Sequence, residues 1–522
     1  MMMGWNVRRL WIVAIAAFFG LSGCSEPDGS PGAGPVKPSF PGVKISVAAM
    51  GDPAILAGLS SQCGEWRASR GGEIVLKDQP IRSADELSDA DLVIFPGQQL
   101  GNLVDADLLE TVANKSVLPA RPSDSQSSGP DRNEAAREPQ DDPFQYTDIL
   151  PVFRDQATRY GTDRLALPLG GSALVLVYRR DAFSRQANID AARLTGIKLE
   201  PPTTWTQLDA LAKFFQGRDW NGDGAPEHGI AAVLGRDPED LGNATFLARA
   251  ASLGQHRDQY SFLFDADSMT PRIDSPPFVE ALRGIRAWKN WAPPDVETFT
   301  AAAAREAFRS GKVALLIDRA ERAVSWSGGH PVGVAPLPGS ERVYEPLRKN
   351  WEIPSSPNTP SYLPAGGGWM VGIRRGLSGA QHDAALDLAK YLTSPEIVSR
   401  VAAERGFFML PVRGHQMSQG FADPTSAPDV DSRQWAEAVS RTLMGERVVP
   451  GLRIADADSY LEELARGRVA ALKGKDPEAA LHQVAALWTA RTNSRGKARQ
   501  LWHYRRSLNS LATLPQPPER GK

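Results

Sequence analysis

A short stretch near the middle of the chain, residues 219–229, reads DWNGDGAPEHG and carries side chains that could bind a metal ion. Asp219, Asn221, Asp223 and Glu227 follow one another at the spacing of the first, third, fifth and ninth ligand positions of a calcium loop. A glycine stands at the sixth position, where such loops turn sharply. The pattern makes these four side chains candidate Ca²⁺ ligands.

The same stretch has a simpler interpretation as a tight turn, and the sequence favours it. A twelve-residue calcium loop ends in a bidentate glutamate, and the twelfth position counted from Asp219 is Ile230. Asp, Asn and Gly are also the residues that form tight turns most readily. Both interpretations stay open. If the site binds calcium, removal of the ion with a chelator should lower the melting temperature of the protein.

The sequence gives little support to a catalytic site. None of the histidines has the H-x-x-x-H spacing of a metal site, and the chain has no G-x-S-x-G motif of a serine hydrolase. The seven histidines lie at positions 228, 256, 330, 382, 415, 482 and 503. An exported enzyme is therefore the weaker alternative, and we expect no catalytic residues.

The N-terminus has the pattern of an export signal. Arg8 and Arg9 precede an apolar run over residues 10–21, which is too short for a comfortable membrane span. The run ends in Leu-Ser-Gly-Cys, which resembles the lipobox of bacterial lipoproteins. That resemblance implies cleavage before Cys24 and a lipid on its sulfur; the alternative is a plain signal peptide. We expect a protein anchored to a membrane of the cell envelope, on its periplasmic or cell-surface face.

Composition sets further bounds. The chain has 522 residues, enough for two or three domains. Its 59 basic and 61 acidic side chains give a net charge of −2, so its overall charge provides no electrostatic attraction to nucleic acid or to an anionic membrane. Besides Cys24 it has only Cys63, which therefore has no partner for an internal disulfide and which we expect to be buried.

Strand and helix signals alternate along the chain. Residues 43–50 and 91–95 read as strands, with helical stretches between them, which predicts βα units and a largely parallel sheet. Ligands of such sheets lie at the carboxyl ends of the strands, near Asp52 and Gln98. Thr204 and Gln207 have the spacing of a capping box, so we expect a helix to begin there.

Six segments in a fixed order resemble the extracellular solute-binding proteins of bacterial ABC transporters, in the sugar-binding family that includes maltose-binding protein. The resemblance spans most of residues 43–490 and rests on the order of the segments rather than on any one of them. The segments are LPLGGSALVLVYRRDAF, PPTTWTQL, DWNGDGAPEHGI, FRSGKVALLID, GGGWMVGIRR with the following AALDLAKYLTSPEIVSRVAAERGFFMLPVR, and ARGRVAALKGKDPEAALHQVAA.

The resemblance implies an α/β, two-lobed fold of the type II periplasmic-binding-protein kind. Each lobe is a sheet flanked by helices, and a hinge lets the lobes close on a ligand. The predicted segments are a signal peptide 1–23, a tether 24–42, a first lobe 43–170 and 319–383, a second lobe 171–318 and 384–510, and a tail 511–522, with a polar insertion at about 114–143 in the first lobe.

The resemblance also implies which residues bind the solute and which partners the protein has. The expected partners are a small solute, which we expect to be a carbohydrate, and an ABC permease. We also expect a monomer with no cofactor, with calcium at residues 219–227 as the open alternative. A receptor that senses the bound solute is an alternative to the permease. The implied ligand-binding residues are Asp52, Gln98, Gly171, Ser172, Trp326 and Trp369.

The chain departs from the family pattern after the ALLID strand. The family has a Gly-Pro-Trp-like turn there, whereas this sequence reads DRAERAVSW. Arg319, Glu321 and Arg322 thus stand where the family often contacts its ligand, which raises the alternative of a solute other than a neutral sugar.

Overall fold

The computed structural model describes residues 39–51, 54–81, 83–118, 144–259, 261–403, 409–418, 427–445 and 447–509. Several predictions fall outside these residues: the signal peptide, Cys24, most of the tether, Asp52, most of the polar insertion and the tail. Among the described helices, none combines the length and apolar character that crossing a membrane requires.

The strands are β1 Lys44–Met50, β2 Glu73–Ile81, β3 Leu92–Pro96, β4 Arg159–Tyr160, β5 Asp163–Arg164, β6 Leu167–Gly171, β7 Leu174–Arg179, β8 His228–Ala231, β9 Val313–Arg319, β10 Val332–Pro336, β11 Val343–Glu345, β12 Asn350–Glu352, β13 Ser361–Leu363, β14 Gly368–Ile373 and β15 Val448–Pro450.

The helices are α1 Ala54–Gly58, α2 Ser60–Arg70, α3 Leu100–Asp105, α4 Asn114–Val117, α5 Arg180–Ser184, α6 Gln186–Thr195, α7 Trp205–Phe215, α8 Leu241–Gly254, α9 Pro276–Ala287, α10 Ala301–Arg309, α11 Gly379–Leu392, α12 Pro395–Ala403, α13 Gly414–Ser418, α14 Ser432–Leu443, α15 Ala457–Leu472, α16 Pro477–Ser494 and α17 Lys497–Ser507.

Two separate sheets form the centres of two lobes. The first has five strands in the order β2-β1-β3-β14-β6, and α2 and α11 pack against it. The second has four strands in the order β10-β7-β9-β8, with α7, α10 and α14 against it. The chain passes from β6 of the first sheet to β7 of the second through Ser172 and Ala173. The predicted α/β architecture of two sheets with flanking helices is confirmed.

The sheets are mixed, so the expectation of a largely parallel sheet is wrong. In the first sheet β1 runs parallel to β2 and β3, but β14 runs antiparallel to β3 and to β6. In the second sheet only β8 and β9 are parallel. Strand β7 follows β6 of the first sheet after only two residues, so it enters the second sheet from the crossing point and pairs antiparallel with β9 and β10.

Two predicted lobe boundaries differ from the structure. Strand β10 falls inside the predicted first-lobe segment 319–383, but it pairs with β7 of the second sheet, from Val332 opposite Arg179 onwards. Helix α11 extends into the predicted second-lobe segment 384–510, but it packs on α2 and β1 of the first lobe. These boundaries depend on pairings between residues far apart in sequence, which local patterns do not reveal.

The predicted capping box at Thr204 and the predicted burial of Cys63 are confirmed. Thr204 caps α7, and both hydrogen bonds of the predicted capping box with Gln207 are present. Trp205 in the first turn is buried, and its indole N–H donates to Ser252 Oγ at 2.8 Å. Cys63 is buried and is not in a disulfide, and burial raises the pKa of its thiol to about 12.

Candidate functional site

A cavity of about 360 Å³ lies between the lobes, lined by residues that follow strands of both sheets. The first lobe contributes Gln98, Gly171 and Trp369, and the second contributes Arg319 and Glu321. The carboxyl ends and crossing points of the strands converge here, so backbone and side-chain polar groups from both lobes face a shared space.

Ser172 and Glu321 join the crossing segment to the end of β9. The Ser172 hydroxyl donates a hydrogen bond to Glu321 Oε1, and the backbone N–H of Ala173 donates to Oε2 at 3.4 Å. Burial raises the pKa of Glu321, and the nearby Arg319 guanidinium opposes that rise. The carboxyl group of Glu321 is thus held at the base of the cavity by the segment that connects the lobes.

A buried arginine organises the second-lobe wall. Arg305 on α10 donates to both oxygens of Glu239 at 2.8 Å and to both oxygens of Asp318 at 2.7 and 2.8 Å. Arg322 lies 3.3 Å from Glu239. Burial alone would raise the pKa of Glu239, but the hydrogen bonds and charge of Arg305 lower it. Each cation of this wall therefore has a carboxylate partner.

Asp240 lines the cavity beside Glu239, at the start of α8. Its φ of 54° is left-handed, a conformation that Asp and Asn tolerate better than other side chains with a Cβ. Burial raises the pKa of Asp240 to about 7, and Arg468 and Arg319 partly offset the effect. Sequence reasoning missed Asp240 and Glu239, although the polar stretch that follows β8 and precedes an apolar helix was a usable signal.

Trp369 supplies an aromatic ring to the first-lobe side of the cavity. It is half-buried on β14, opposite Pro96 on β3 and Gly170 on β6. The preceding Gly368 has a φ of 124°, and a Cβ there would lie 2.2 Å from the carbonyl oxygen of Gly170. Only glycine permits this approach of the two strands, which fixes where the indole emerges.

Four of the six predicted ligand-binding residues line the cavity: Gln98, Gly171, Ser172 and Trp369. Trp326 does not, and its prediction is corrected. Its side chain is 1% exposed, and its indole N–H donates to Asp318 Oδ2 at 2.7 Å in the core of the second lobe. The charged residues that break the family pattern, Arg319, Glu321 and Arg322, do line the cavity.

The predicted calcium ligands lie in the second lobe, away from this cavity. One carboxylate oxygen from each of Asp219, Asp223 and Glu227 lies within 4.8 Å of the others. Asn221 is beside them, with its Oδ1 accepting from the backbone N–H of Asp223 at 2.9 Å. Ile230 stands at the twelfth position, where a calcium loop has its glutamate. It is an apolar residue buried in β8 and supplies no ligand atom.

A family model described as bacterial extracellular solute-binding protein matches residues 79–414, which is more than half of the chain. The chain belongs to this family. The extracellular solute-binding proteins are exported, so this protein is an exported one. The family and the solved structures that resemble this chain are binding proteins rather than enzymes. No curated protein sequence matches the chain.

Several solved structures share the two-lobed fold of this solute-binding protein. An ABC transporter solute-binding protein from Agrobacterium radiobacter K84, in complex with ribitol, is 19% identical with a TM-score of 0.60, covering 87% of this chain and 99% of that one. The sugar-binding protein MalE from Xanthomonas citri is 17% identical with a TM-score of 0.61, covering 87% and 98%. Maltose-bound MalE3 of T. maritima is 20% identical with a TM-score of 0.56, covering 86% and 100%.

Proposed function

We propose that this solute-binding protein captures a small polyhydroxylated solute, a sugar or a sugar alcohol, in the cavity between its lobes and delivers it to an ABC permease. The main support is that Trp369 lines the same cavity as the polar residues Ser172, Asp240 and Glu321. A sugar presents apolar C–H faces that pack on an aromatic ring and hydroxyls that bond to carboxylates and amides. The solved relatives bound to ribitol and maltose agree with this solute class.

The charges around the cavity disfavour an anionic solute. Arg305 and Arg322 pair with Glu239, and Arg319 lies 4.0 Å from Glu321, so the cations already have carboxylate neighbours. An anionic solute would need a cation opposite it that is not already paired, because burying a charge without a partner is costly. The departure from the family pattern at residues 319–322 therefore does not by itself require a charged ligand.

A thermal-shift screen tests this proposal. The soluble protein is heated with ribitol, mannitol, maltose and other neutral polyols and sugars, and in parallel with amino acids and organic acids. A solute at a hundred times its dissociation constant adds about 2.7 kcal/mol to the free energy of unfolding. We expect at least one polyhydroxylated solute to raise the melting temperature. A rise with charged solutes alone would contradict the proposal.

Substituting Trp369 tests the role of the ring. Trp369→Ala should weaken binding of the stabilising solute by roughly ten-fold or more, since the packing of an aromatic ring contributes on the order of 1 kcal/mol and its buried area adds to this. Trp351→Ala is the matched control, because Trp351 is also half-buried on a short strand but packs on Tyr344, at a ring distance of 5.3 Å, and does not line the cavity. Equal losses in both variants would count against the assignment.

We further propose that Cys24 carries the lipid that anchors the protein to a membrane. The support is the lipobox-like Leu-Ser-Gly-Cys that ends an apolar run at the N-terminus. Labelled palmitate should be incorporated into the protein in its bacterial host, and Cys24→Ser should abolish the label. Cys63→Ser should retain it, because Cys63 is buried in the first lobe. Label that persists in Cys24→Ser would overturn this anchor.

A further inference from the structure

The loop between α7 and β8 holds a cluster of carboxylates that the solute cleft does not use. Its two ends are joined by an antiparallel pairing of Arg218 with Glu227, in which Glu227 N–H donates to the Arg218 carbonyl at 3.0 Å. Oxygens from Asp219, Asp223 and Glu227 then lie within 4.8 Å of one another. Two oxygens on opposite sides of a Ca²⁺ ion are separated by twice the bond length of about 2.3–2.6 Å, so the three can share one ion.

The side chain of Glu227 gives a second, independent indication of a cation site. It is only 6% exposed, and its Oε2 is fully buried without a hydrogen-bond partner in the described part of the chain. A buried carboxylate oxygen without a partner is costly, and such groups usually have a proton, a donor or a cation beside them.

The other side chains are held in place but keep capacity to bind an ion. Asp219 accepts from the N–H groups of Gly222 at 2.6 Å and Gly224 at 3.1 Å, one with each carboxylate oxygen. Asp223 Oδ1 accepts from Ala225 N–H at 2.9 Å. Each carboxylate oxygen has more than one lone pair, so these bonds orient the side chains and leave positions for a cation.

We propose that residues 219–227 bind a calcium ion, with oxygen ligands from Asp219, Asn221, Asp223 and Glu227. An all-oxygen set built on a flexible loop suits Ca²⁺, which takes six to eight oxygens, better than Zn²⁺, which prefers nitrogen and sulfur. Glu227 takes the part that the terminal glutamate has in a twelve-residue calcium loop, because Ile230 at that position lies in the core. Backbone carbonyls and water complete the coordination.

The position of the loop indicates what the ion does. The loop leads directly into β8, and the chain that leaves β8 reaches Glu239 and Asp240 at the solute cavity. The buried Trp220 in the loop also anchors it to the lobe, with Asn188 Nδ2 donating to the Trp220 carbonyl at 2.8 Å. Calcium therefore stabilises the second lobe and does not touch the solute.

Terbium luminescence and melting curves test the site directly. Tb³⁺ replaces Ca²⁺ at oxygen sites, and Trp220, the neighbour of Asp219 in the chain, serves as the sensitising indole. The protein is freed of metal with a chelator and titrated with TbCl₃ and then CaCl₂. We expect Trp-excited terbium emission that Ca²⁺ displaces, and a higher melting temperature with CaCl₂ than with chelator. No emission and an unchanged melt would show that the stretch is only a turn.

Two substitutions distinguish a calcium site from a simple turn. Glu227→Gln removes a charge without changing shape, and Asp223→Asn keeps the Oδ1 acceptor for Ala225 N–H. Each should weaken Ca²⁺ binding by roughly ten-fold or more, since calcium affinity follows the number of charged ligands. In the metal-free protein, Glu227→Gln should keep or raise the melting temperature because it relieves carboxylate repulsion.

The matched control is Glu437→Gln on α14, where the carboxylate is exposed and pairs with Arg441 at 2.8 Å. This variant should keep wild-type terbium emission and wild-type calcium stabilisation. If both loop variants bind calcium as tightly as the control, the site is not where we place it. Solute binding by the cleft provides a separate readout, so failure of the calcium site leaves the proposed function standing.

Discussion

Gln98 and Asp458 meet beside the solute cavity, with 2.6 Å between Gln98 Nε2 and Asp458 Oδ1. Gln99 Nε2 donates to the other oxygen of the same carboxylate at 2.7 Å. Gln98 and Gln99 follow β3 of the first lobe, whereas Asp458 lies in the first turn of α15, which packs on α8 and α9 beside the second sheet. The contact therefore links the two halves of the molecule, and the Gln98 amide is already engaged by protein.

Cutting this link should loosen the arrangement that surrounds the solute. Hydrogen bonds to a charged group contribute about 1.5–3 kcal/mol when buried, and for the exposed Asp458 we expect about 1 kcal/mol. Asp458→Ala should therefore weaken solute binding about five-fold, mainly through faster dissociation, because a smaller fraction of the molecules holds the binding arrangement. Stopped-flow fluorescence and calorimetry measure both quantities.

Asp458 also stands in the first turn of its helix, where an acid is favourable. Glu478→Ala controls for that effect, since Glu478 occupies the first turn of α16 and pairs with the exposed Arg283, at 3.4 Å. If both variants bind the solute with wild-type kinetics, the contact between Gln98 and Asp458 has no part in holding the lobes.

Trp326 should act on stability and not on binding. Trp326→Phe removes the indole N–H that donates to the buried Asp318 at 2.7 Å, and Phe leaves part of the indole volume empty. We expect a loss of about 1–3 kcal/mol in the free energy of unfolding, measured by urea denaturation. Solute affinity should stay within two-fold of wild type. A large loss of affinity with little loss of stability would restore Trp326 to the binding site.

Arg305 should be irreplaceable by lysine. Its guanidinium reaches two carboxylates at once, and a lysine ammonium does not reproduce that fork. Arg305→Lys should lower the free energy of unfolding by about 2–3 kcal/mol, because Asp318 is fully buried and Glu239 partly so. It should also weaken solute binding, since Glu239 lines the cavity.

Arg309→Lys is the matched control on the same helix. Arg309 also makes two hydrogen bonds to one carboxylate, that of Glu306, at 2.8 and 2.9 Å, but this pair is exposed. Exposed pairs contribute less than about 1 kcal/mol, so chemical denaturation should show little change in this variant. Similar losses in the two lysine variants would mean that burial of Arg305 does not matter.

What could be predicted from sequence follows the range of the interactions. The capping box at Thr204 depends on two residues three positions apart, and the sequence displays such spacing directly. The order of the segments placed Ser172 and Trp369 at the cavity because the crossing point and the glycine-rich strand are local features as well.

The rest depends on partners far along the chain. Asp458, which accepts a hydrogen bond from the Gln98 amide, lies 360 residues later in the chain. No sequence pattern near Gln98 indicates this contact. Trp326 is one turn away from the cavity-lining Arg322, so the rotation of one short 3₁₀ segment, Ala320–Trp326, decides which side chain faces the solute. The sequence pattern does not show that rotation, because it depends on the hydrogen bond that the Trp326 indole N–H donates to Asp318 in the core of the second lobe.

Asp240 gives the fold a pH dependence with a definite sign. Its pKa is about 7 in the folded protein, compared with an ordinary value of 3.8. Between these values the folded state holds a proton that the unfolded state has lost, so the free energy of unfolding falls as the pH rises from about 4 to about 7. Above about pH 7 the full cost of the buried carboxylate is present.

Asp240→Asn removes this cost without straining the backbone, since Asn also tolerates the left-handed φ of 54°. Asn does not titrate, so its advantage over Asp should grow with pH. Asp240 is half-buried. We therefore expect the difference in the free energy of unfolding between Asp240→Asn and wild type to grow by about 1–2 kcal/mol from pH 5 to pH 8. Thermal melts at both pH values measure it.

Asp456→Asn is the control for this prediction. Asp456 also precedes a helix with a left-handed φ, of 66°, but its carboxylate pairs with Arg491 at 2.8 Å, so the substitution should destabilise the protein. Solute binding adds a second readout: if the Asp240 carboxylate accepts a solute hydroxyl, Asp240→Asn should bind more weakly at pH 8 while melting higher. A variant that melts below wild type at pH 8 would show that the Asp240 charge is stabilised by Arg468 and Arg319 more than burial penalises it.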